Sequence, residues 1–116
     1  MTNANHLFRS RNGSDHFFQH RPSRIYFSQG VKDLADICSA YWLLELIISY
    51  QCKRRIKAEG FQVWELKRIN EDRFIVTATD GNHHRLVYHY LPQCDFTYDL
   101  ATIWLIRGVL VLPVEY

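Results

Sequence analysis

The stretch VKDLADICSAYWLLELIISYQ, residues 31–51, decides the fold of this 116-residue chain. Its apolar side chains recur at helical spacing, and Trp42 and Leu46 extend the apolar surface beyond the single stripe of an ordinary surface helix. Burial contributes roughly 1.5–3 kcal/mol for each side chain of this size, so we predict one long helix covered on more than one side. The apolar run within it, residues 37–50, includes Glu45 and is shorter than the roughly twenty residues that a bilayer requires. The stretch therefore predicts a buried helix and no membrane span.

Strand patterns surround this helix. Residues 24–27 have strand composition, and Ser28 is the expected N-cap of the helix. Beyond the helix, further strands are predicted at residues 61–69, 73–79, 84–91, 102–106 and 109–112. Asp80-Gly81-Asn82 and Arg107-Gly108 have the composition of tight hairpin turns. The predicted fold class is α+β, with an antiparallel β-meander of about five strands packed against one long apolar helix.

Residues 1–24 form a basic, aromatic-containing N-terminal segment. Phe8, Phe17 and Phe18 interrupt its polar sequence, and a disordered tail rarely carries so many phenylalanines. We therefore expect this segment to pack as a short helix or loop. Since the chain has the common size of a single domain, residues 1–116 are predicted to form one domain, with residues 1–24 packed on it or extending from it.

Composition excludes several classes of protein. The formal net charge of +2 is too small to require a polyanionic partner, and the 47% hydrophobic content is typical of a globular protein. The three cysteines are an odd number without paired spacing, which indicates a reducing compartment and no structural disulfide. The first residues lack the apolar core of an export signal, so a cytoplasmic location is expected.

The residues that could carry chemistry do not form a recognised motif. Acceptable zinc ligands occur close together in sequence at His83, His84, His89, Cys94 and Asp95. His84 and His89 are an odd number of residues apart, however, so a regular strand turns them to opposite faces. Cys94 and His89 are residue types of thiol enzymes, without a spacing that places a base beside the sulfur. Glu45 is either a functional carboxylate in apolar surroundings or, as we favour, a residue at a solvated or hydrogen-bonded gap. We expect no catalytic residue, no metal, no cofactor and no enzymatic activity.

Binding is the class of function that remains. The N-terminal segment interleaves basic and aromatic residues, a pattern that combines phosphate neutralisation with base stacking. The chain lacks the motif of an RNA-recognition sheet and a recognition helix, however. Its three tryptophans and seven tyrosines are instead typical anchors of protein interfaces. We predict a protein-binding module, with nucleic-acid binding through the N-terminal segment as the alternative.

Short motifs occur along nearly the whole chain in a characteristic order. They are Gly13-Ser14, Gly30-Val31, Ala40-Tyr41-Trp42-Leu43-Leu44, Phe61-Gln62-Val63-Trp64, Asp80-Gly81, Asp95-Phe96 and Leu112-Pro113-Val114-Glu115-Tyr116. Together they resemble a small bacterial family of unknown function. Members of that family usually end Leu-Pro-Ser-Glu-Tyr, so Val114 is a departure, and the family offers no site residues to transfer.

The resemblance implies a genomic setting, since members of that family recur in plasmids, prophages and other mobile elements. Small proteins of such elements often dock on a host protein, so the resemblance implies an inhibitor of a host defence effector, of the anti-CRISPR or anti-restriction type. Two surfaces are candidates for contact with that host protein. The first is basic and aromatic, with Arg9, Arg11, Phe17, Arg21 and Arg24. The second contains Asp95 and Asp99, which would imitate phosphate charge against a host channel of Lys and Arg.

Overall fold

Residues 2–8, 16–21 and 23–116 are described by a computed structural model. Over these residues the elements are a 3₁₀ helix Ala4–Phe8, β1 Phe17–His20, β2 Ile25–Ser28, α1 Gln29–Ile37, α2 Tyr41–Tyr50, α3 Arg54–Lys57, β3 Phe61–Asn70, β4 Arg73–Thr79, β5 Arg85–Leu91, β6 Leu100–Ile106, β7 Val109–Val111 and a 3₁₀ helix Pro113–Glu115. The predicted α+β class is confirmed. No helix in this part of the chain is long and apolar enough to cross a membrane.

The predicted single long helix is wrong, because residues 31–51 contain two helices joined by a tight turn. Ser39 has a φ of 52°, in the left-handed region. The N–H of Ala40 donates to the carbonyl of Ala35 at 2.9 Å, the bond that closes a Schellman helix end. The side chains buried by α1 and α2 include Val31, Leu34, Leu43, Leu44 and Ile47. The apolar surface that is too wide for one helix is therefore two stripes on two helices.

The predicted five-stranded antiparallel meander is also wrong. The described strands form one seven-stranded mixed sheet in the order β1-β2-β7-β6-β3-β4-β5, in which β2 and β7 are parallel. Strands β3, β4 and β5 do follow one another as a meander, but β6 returns to the other edge of β3. Strand β1 belongs to the N-terminal segment, for which the sequence predicts a helix or loop. Its backbone groups pair with β2 in an antiparallel hairpin.

Among the described residues, the helices cover one face of the sheet and leave the opposite face open. Along β3, the buried side chains of Gln62, Trp64 and Leu66 alternate with more exposed ones, as the period of two in a strand requires. On the buried face, the ring of Tyr50 in α2 lies 5.7 Å from that of Trp64. Ile56 of α3 is fully buried in the same core. We call the side toward the helices the inner face and the opposite side the open face.

Residues 92–99 connect β5 to β6 across the end of the sheet, and Arg68 holds this connection in place. Its guanidinium donates to the carbonyl oxygens of Phe96 and Glu71 and, through Nε at 2.8 Å, to the carboxylate of Asp99. Asp99 also accepts the backbone N–H of Thr2 at 2.7 Å. The N-terminal residues are thereby attached to the start of β6.

A buried carboxylate near the C-terminus fixes the start of α1. Ser28 is the N-cap, as predicted, and its Oγ accepts the N–H of Val31 at 3.1 Å. The same hydroxyl donates to Oε1 of Glu115 at 2.5 Å, while Oε2 of Glu115 accepts the N–H of Gly30 at 3.0 Å. Oε1 also accepts the N–H of Leu112 at 2.9 Å. A carboxylate at this end of a helix is favoured by the free N–H groups and by the helix dipole.

We expect Gly30→Ala to destabilise the protein by about 1–3 kcal/mol, because the added methyl group must displace buried atoms. A Cβ at this position would lie 2.5 Å from the carboxyl carbon of Glu115. Gly60→Ala is the matched control, since a Cβ at Gly60 meets nothing within 4 Å. The free energy of unfolding in urea should fall for the first variant and stay within about 1 kcal/mol for the second. Equal stability of the two variants would contradict the close fit at Gly30.

We expect the stability contributed by Asp99 to depend on pH. Hydrogen bonds from Thr2 and the ion pair with Arg68 lower the pKa of this carboxyl. A carboxyl with a lowered folded pKa stabilises the fold above the unfolded pKa, which is about 3.9, and this contribution is lost as the pH falls through the folded pKa. Asp99→Asn should therefore be less stable than the parent at pH 7, and the two unfolding free energies should converge below about pH 4.

The control for this measurement is Asp95→Asn, which removes a carboxylate from the same connection without removing an ion pair among the described residues. A difference between parent and Asp99→Asn that stays constant from pH 7 to about pH 3 would contradict the role of the ionised carboxylate.

Candidate functional site

The predicted basic surface is only partly within the described residues. Arg9 and Arg11 lie outside them. Phe17 of β1 is 51% exposed, and Arg21 and Arg24 are exposed in the turn between β1 and β2. Arg24 has a φ of 64°, so the backbone of this turn is left-handed there. The contribution of these residues to partner binding stays a prediction.

The predicted acidic surface lies in the connection between β5 and β6, residues 92–99, which crosses one end of the sheet. Asp95 is exposed and lines a cavity of about 440 Å³ together with Trp42 and Asp72. Asp99 is instead engaged within the chain by Thr2 and Arg68. Its charge is therefore partly neutralised before any partner arrives. The role of both residues in binding stays a prediction.

The residues considered for metal binding and thiol chemistry have separate partners in the structure. Nδ1 of His84 lies 2.8 Å from Oδ2 of Asp80 in the hairpin turn. Nδ1 of His89 lies 2.7 Å from the hydroxyl of Tyr50. Burial raises the pKa of the Cys94 thiol, which disfavours the reactive thiolate. Within residues 2–8, 16–21 and 23–116, no three His, Cys, Asp or Glu residues are grouped so that they could hold a metal ion.

A cleft of about 820 Å³ lies where three parts of the chain meet. One wall is the hairpin of β1 and β2, and another is formed by the end of α2 and by α3. The third is the turn between β6 and β7. Its apolar lining consists of Ile25, Ile48 and Leu105. The sequence does not predict this cleft, because its walls come from segments far apart along the chain.

A row of hydrogen bonds joins the hairpin to α2 at the edge of the cleft. Nε2 of His20 lies 2.9 Å from Oε1 of Glu45, and Nδ1 lies 2.7 Å from Oγ of Ser23. The Glu45 side chain is 64% exposed, so the favoured interpretation of this residue as one at a solvated, hydrogen-bonded gap is confirmed. The Ser23 hydroxyl also accepts the N–H of Ile25 at 3.2 Å. Ser23 therefore stabilises the turn between β1 and β2, and the hydrogen bond from His20 to Glu45 joins β1 to α2.

Two buried glutamines form the back of the cleft. The side chains of Gln51 and Gln62 exchange two hydrogen bonds of 2.9 and 3.0 Å. Gln62 also donates to the carbonyl of Ile56 at 2.9 Å and accepts the indole N–H of Trp64 at 2.9 Å. These bonds connect α2, α3 and β3. They satisfy polar groups that would otherwise be costly to bury.

Three cationic side chains reach the cleft from two elements. They are Arg54 and Lys57 of α3 and Arg107 of the turn between β6 and β7. All three are exposed, and none forms an ion pair with a described residue. The sequence shows the basic cluster after α2 but does not show that Arg107 joins it. The cleft is thus suited to an anionic ligand.

The open face carries an apolar surface across four strands. One row of paired residues comprises Tyr26, Val109, Ile106 and Phe61. A second row comprises Val111, Trp104 and Val63. Apart from Tyr26, which is 44% exposed, these side chains are half-buried. Their neighbours on the inner face, such as Leu105 and Leu110, are buried.

Aromatic rings concentrate on this face. The ring of Trp104 lies 5.3 Å from Phe61 and 5.7 Å from Tyr116. Tyr88 and Tyr90 of β5, 54% and 47% exposed, lie on the same face at the edge of the sheet, in the rows that contain Glu65 and Lys67. Large aromatic surfaces of this kind are typical of protein interfaces.

The fold and these surfaces define a class of protein: a mixed-sheet α+β protein with helices on one face of the sheet, a cationic cleft and an apolar open face. Residues 2–116 match the model of a family of unknown function (DUF6876), and the chain belongs to that family. The chain matches no curated protein and no solved structure. The resemblance to a family of unknown function is confirmed to this extent, and the mobile-element setting stays a prediction.

We expect Gln62→Leu to destabilise the protein by about 2–4 kcal/mol, because it removes the acceptor of the Trp64 indole N–H and the donor to the side-chain oxygen of Gln51 in the core. Gln93→Leu is the control, since Gln93 is exposed and surface substitutions usually change stability by less than about 0.5 kcal/mol. Urea unfolding of both variants measures the difference. A Gln62 variant as stable as the parent would show that the hydrogen bonds at the back of the cleft do not hold its walls together.

Proposed function

We propose that this protein is a protein-binding module that docks through the open face of its sheet. The observation that supports this proposal is the pair of apolar rows centred on Trp104. Contiguous apolar surface exposed on a folded protein marks an interaction site more often than scattered apolar residues do. Phe17, a predicted partner-binding residue, projects to the same face as Tyr26, because Gln19 pairs with Tyr26 and lies two residues from Phe17.

The charges around this face favour a defined orientation of the partner. Glu65 and Lys67 of β3 lie on the open face beyond the apolar rows, and Arg85 of β5 lies over the ring of Tyr88 at 5.1 Å. A polar rim around an apolar centre is the usual arrangement of an interface. In it, the aromatic residues contribute affinity, while the rim charges contribute specificity and association rate.

The partner that we propose is a host defence effector, of the anti-CRISPR or anti-restriction type, blocked by stoichiometric docking. This finer proposal rests on the resemblance of the sequence motifs to a family from mobile elements. An inhibitor of this kind needs a stable surface and no catalytic group, and the open face offers such a surface.

The test uses purified protein as bait with lysate of the host, followed by a measurement of affinity for the captured protein. Tyr26→Ser removes an aromatic ring from the open face, and we expect it to weaken binding at least tenfold, or about 1.4 kcal/mol. Tyr41→Ser is the matched control, because Tyr41 is 42% exposed but bonds to Asp36 on the helical side of the molecule. It should leave the affinity unchanged.

Three outcomes would overturn the proposal. The first is that no protein is retained at stoichiometric amounts. The second is that both tyrosine variants bind equally to the captured protein. The third is that the open face is occupied by a second copy of the chain, seen as a dimer in solution that Tyr26→Ser dissociates. A captured defence effector that stays fully active in the complex would remove the inhibitor proposal and keep the docking proposal.

Nucleic-acid binding is a second proposal, and the exposure of Arg21 and Arg24 beside the cationic cleft favours it. Contacts with phosphates make affinity fall steeply with salt. Arg21→Gln with Arg24→Gln should then weaken retardation of a single-stranded oligonucleotide at low salt, whereas Tyr41→Ser should not. Absence of retardation for the unmodified protein at low salt would remove this proposal.

A further inference from the structure

We infer that the cleft bounded by β1–β2, α2–α3 and the β6–β7 turn is a binding site for a small organic phosphate. Its volume of about 820 Å³ is within the range of roughly 300–1,000 Å³ that is typical of small-molecule sites. The site is independent of the proposed docking face. Gln62 and Leu105 project to the inner face, whereas their neighbours Val63 and Ile106 project to the open face.

The anion is inferred from the excess of positive charge in the cleft, where three cationic side chains stand against the two carboxylates of Glu45 and Glu59. Arg54, Lys57 and Arg107 line it without an ion pair among the described residues. Of the two lining carboxylates, Glu45 is already bonded to His20. Guanidinium groups present several N–H donors in a plane that matches two phosphate oxygens, so arginines favour phosphate over a simple halide ion.

The backbone of the turn that carries Arg107 is held by two hydrogen bonds before a ligand binds. Its backbone N–H donates to the carbonyl of Gly60 at 2.9 Å, and the carbonyl of the next residue, Gly108, accepts the N–H of Tyr26 at 2.9 Å. The turn is therefore attached to β3 on one side and to β2 on the other. A preorganised wall lowers the ordering cost of binding.

The ligand is inferred to be organic because the cleft also has an apolar lining. Ile25, Ile48 and Leu105 supply surface that inorganic phosphate cannot cover. A ligand whose phosphate binds the arginines and whose non-polar ring packs on these side chains would contact both the cationic and the apolar part of the cleft. An extended polyanion is disfavoured, since Glu45 and Glu59 line the same cleft and would repel its further phosphates.

The test is isothermal titration of the full chain at low ionic strength with four probes: phenyl phosphate, AMP, inorganic phosphate and a single-stranded 12-nucleotide DNA. We expect phenyl phosphate or AMP to bind at least tenfold more tightly than inorganic phosphate. Arg107→Asn and Lys57→Met should each weaken that binding at least fivefold. Arg73→Gln, which removes an exposed arginine outside the cleft, is the control and should bind as the parent does.

The two cleft variants keep the test decisive if one of them folds poorly, because Lys57 is exposed on α3 and Lys57→Met removes only its charge. Failure of both organic phosphates to bind at millimolar concentration would overturn the inference. So would equal affinity of organic and inorganic phosphate, or equal binding by the parent and both cleft variants. Tighter binding of the DNA than of AMP would overturn it in favour of a nucleic-acid site. None of these results changes the affinity measured for the open face with Tyr26→Ser.

Discussion

The carboxylate of Glu115 at the start of α1 is the interaction on which the rest of the structure depends. It joins the last turn of the described chain to Ser28 and Gly30, at the junction of β2 and α1. Because β7 leads directly into the segment that carries Glu115, this bond holds β7 beside β2. The parallel pairing of these two strands is the departure from a simple antiparallel sheet. The hairpin of β1 and β2, which forms one wall of the cleft, is positioned by the same contact.

The two candidate sites lie on opposite faces of one sheet because a strand alternates its side chains between two faces. On β6, Leu105 lines the cleft and Ile106 belongs to the apolar rows of the open face. One sheet thus separates the proposed small-molecule site from the proposed docking face. The helices cover only the inner face, and their contacts with it leave room for a cleft at one end.

The local sequence predicts where most of the strands lie along the chain, but it does not predict the order of the strands in the sheet. Strands β3 and β4 have the alternation of half-buried strands, and Asp80-Gly81-Asn82 has turn chemistry, so their existence is predictable. The return of β6 to β3 depends on residues 92–99 crossing the sheet end under Arg68, a contact between distant parts of the chain. The break at Ser39 is also hidden, since the sequence offers no glycine where the backbone turns left-handed. Periodicity alone therefore merges α1 and α2.

The functional residues likewise divide into those that the local sequence predicts and those that depend on contacts between distant segments. Exposed Phe17, Arg21 and Arg24 can be anticipated from a polar, basic segment. The pairing of His20 with Glu45, and of Gln51 with Gln62, cannot, because partners so far apart in sequence carry no local signal.

The three tryptophans occupy three different environments, so their intrinsic fluorescence should differ. Trp64 is enclosed in the core, Trp42 borders the cavity beside Asp95, and Trp104 is the indole in the apolar rows of the open face. Emission from the enclosed indole should be blue and insensitive to dissolved quenchers, whereas that of Trp104 should respond when another molecule covers it. With Trp42 replaced by phenylalanine, the red part of the spectrum would report on a single side of the sheet without any attached dye.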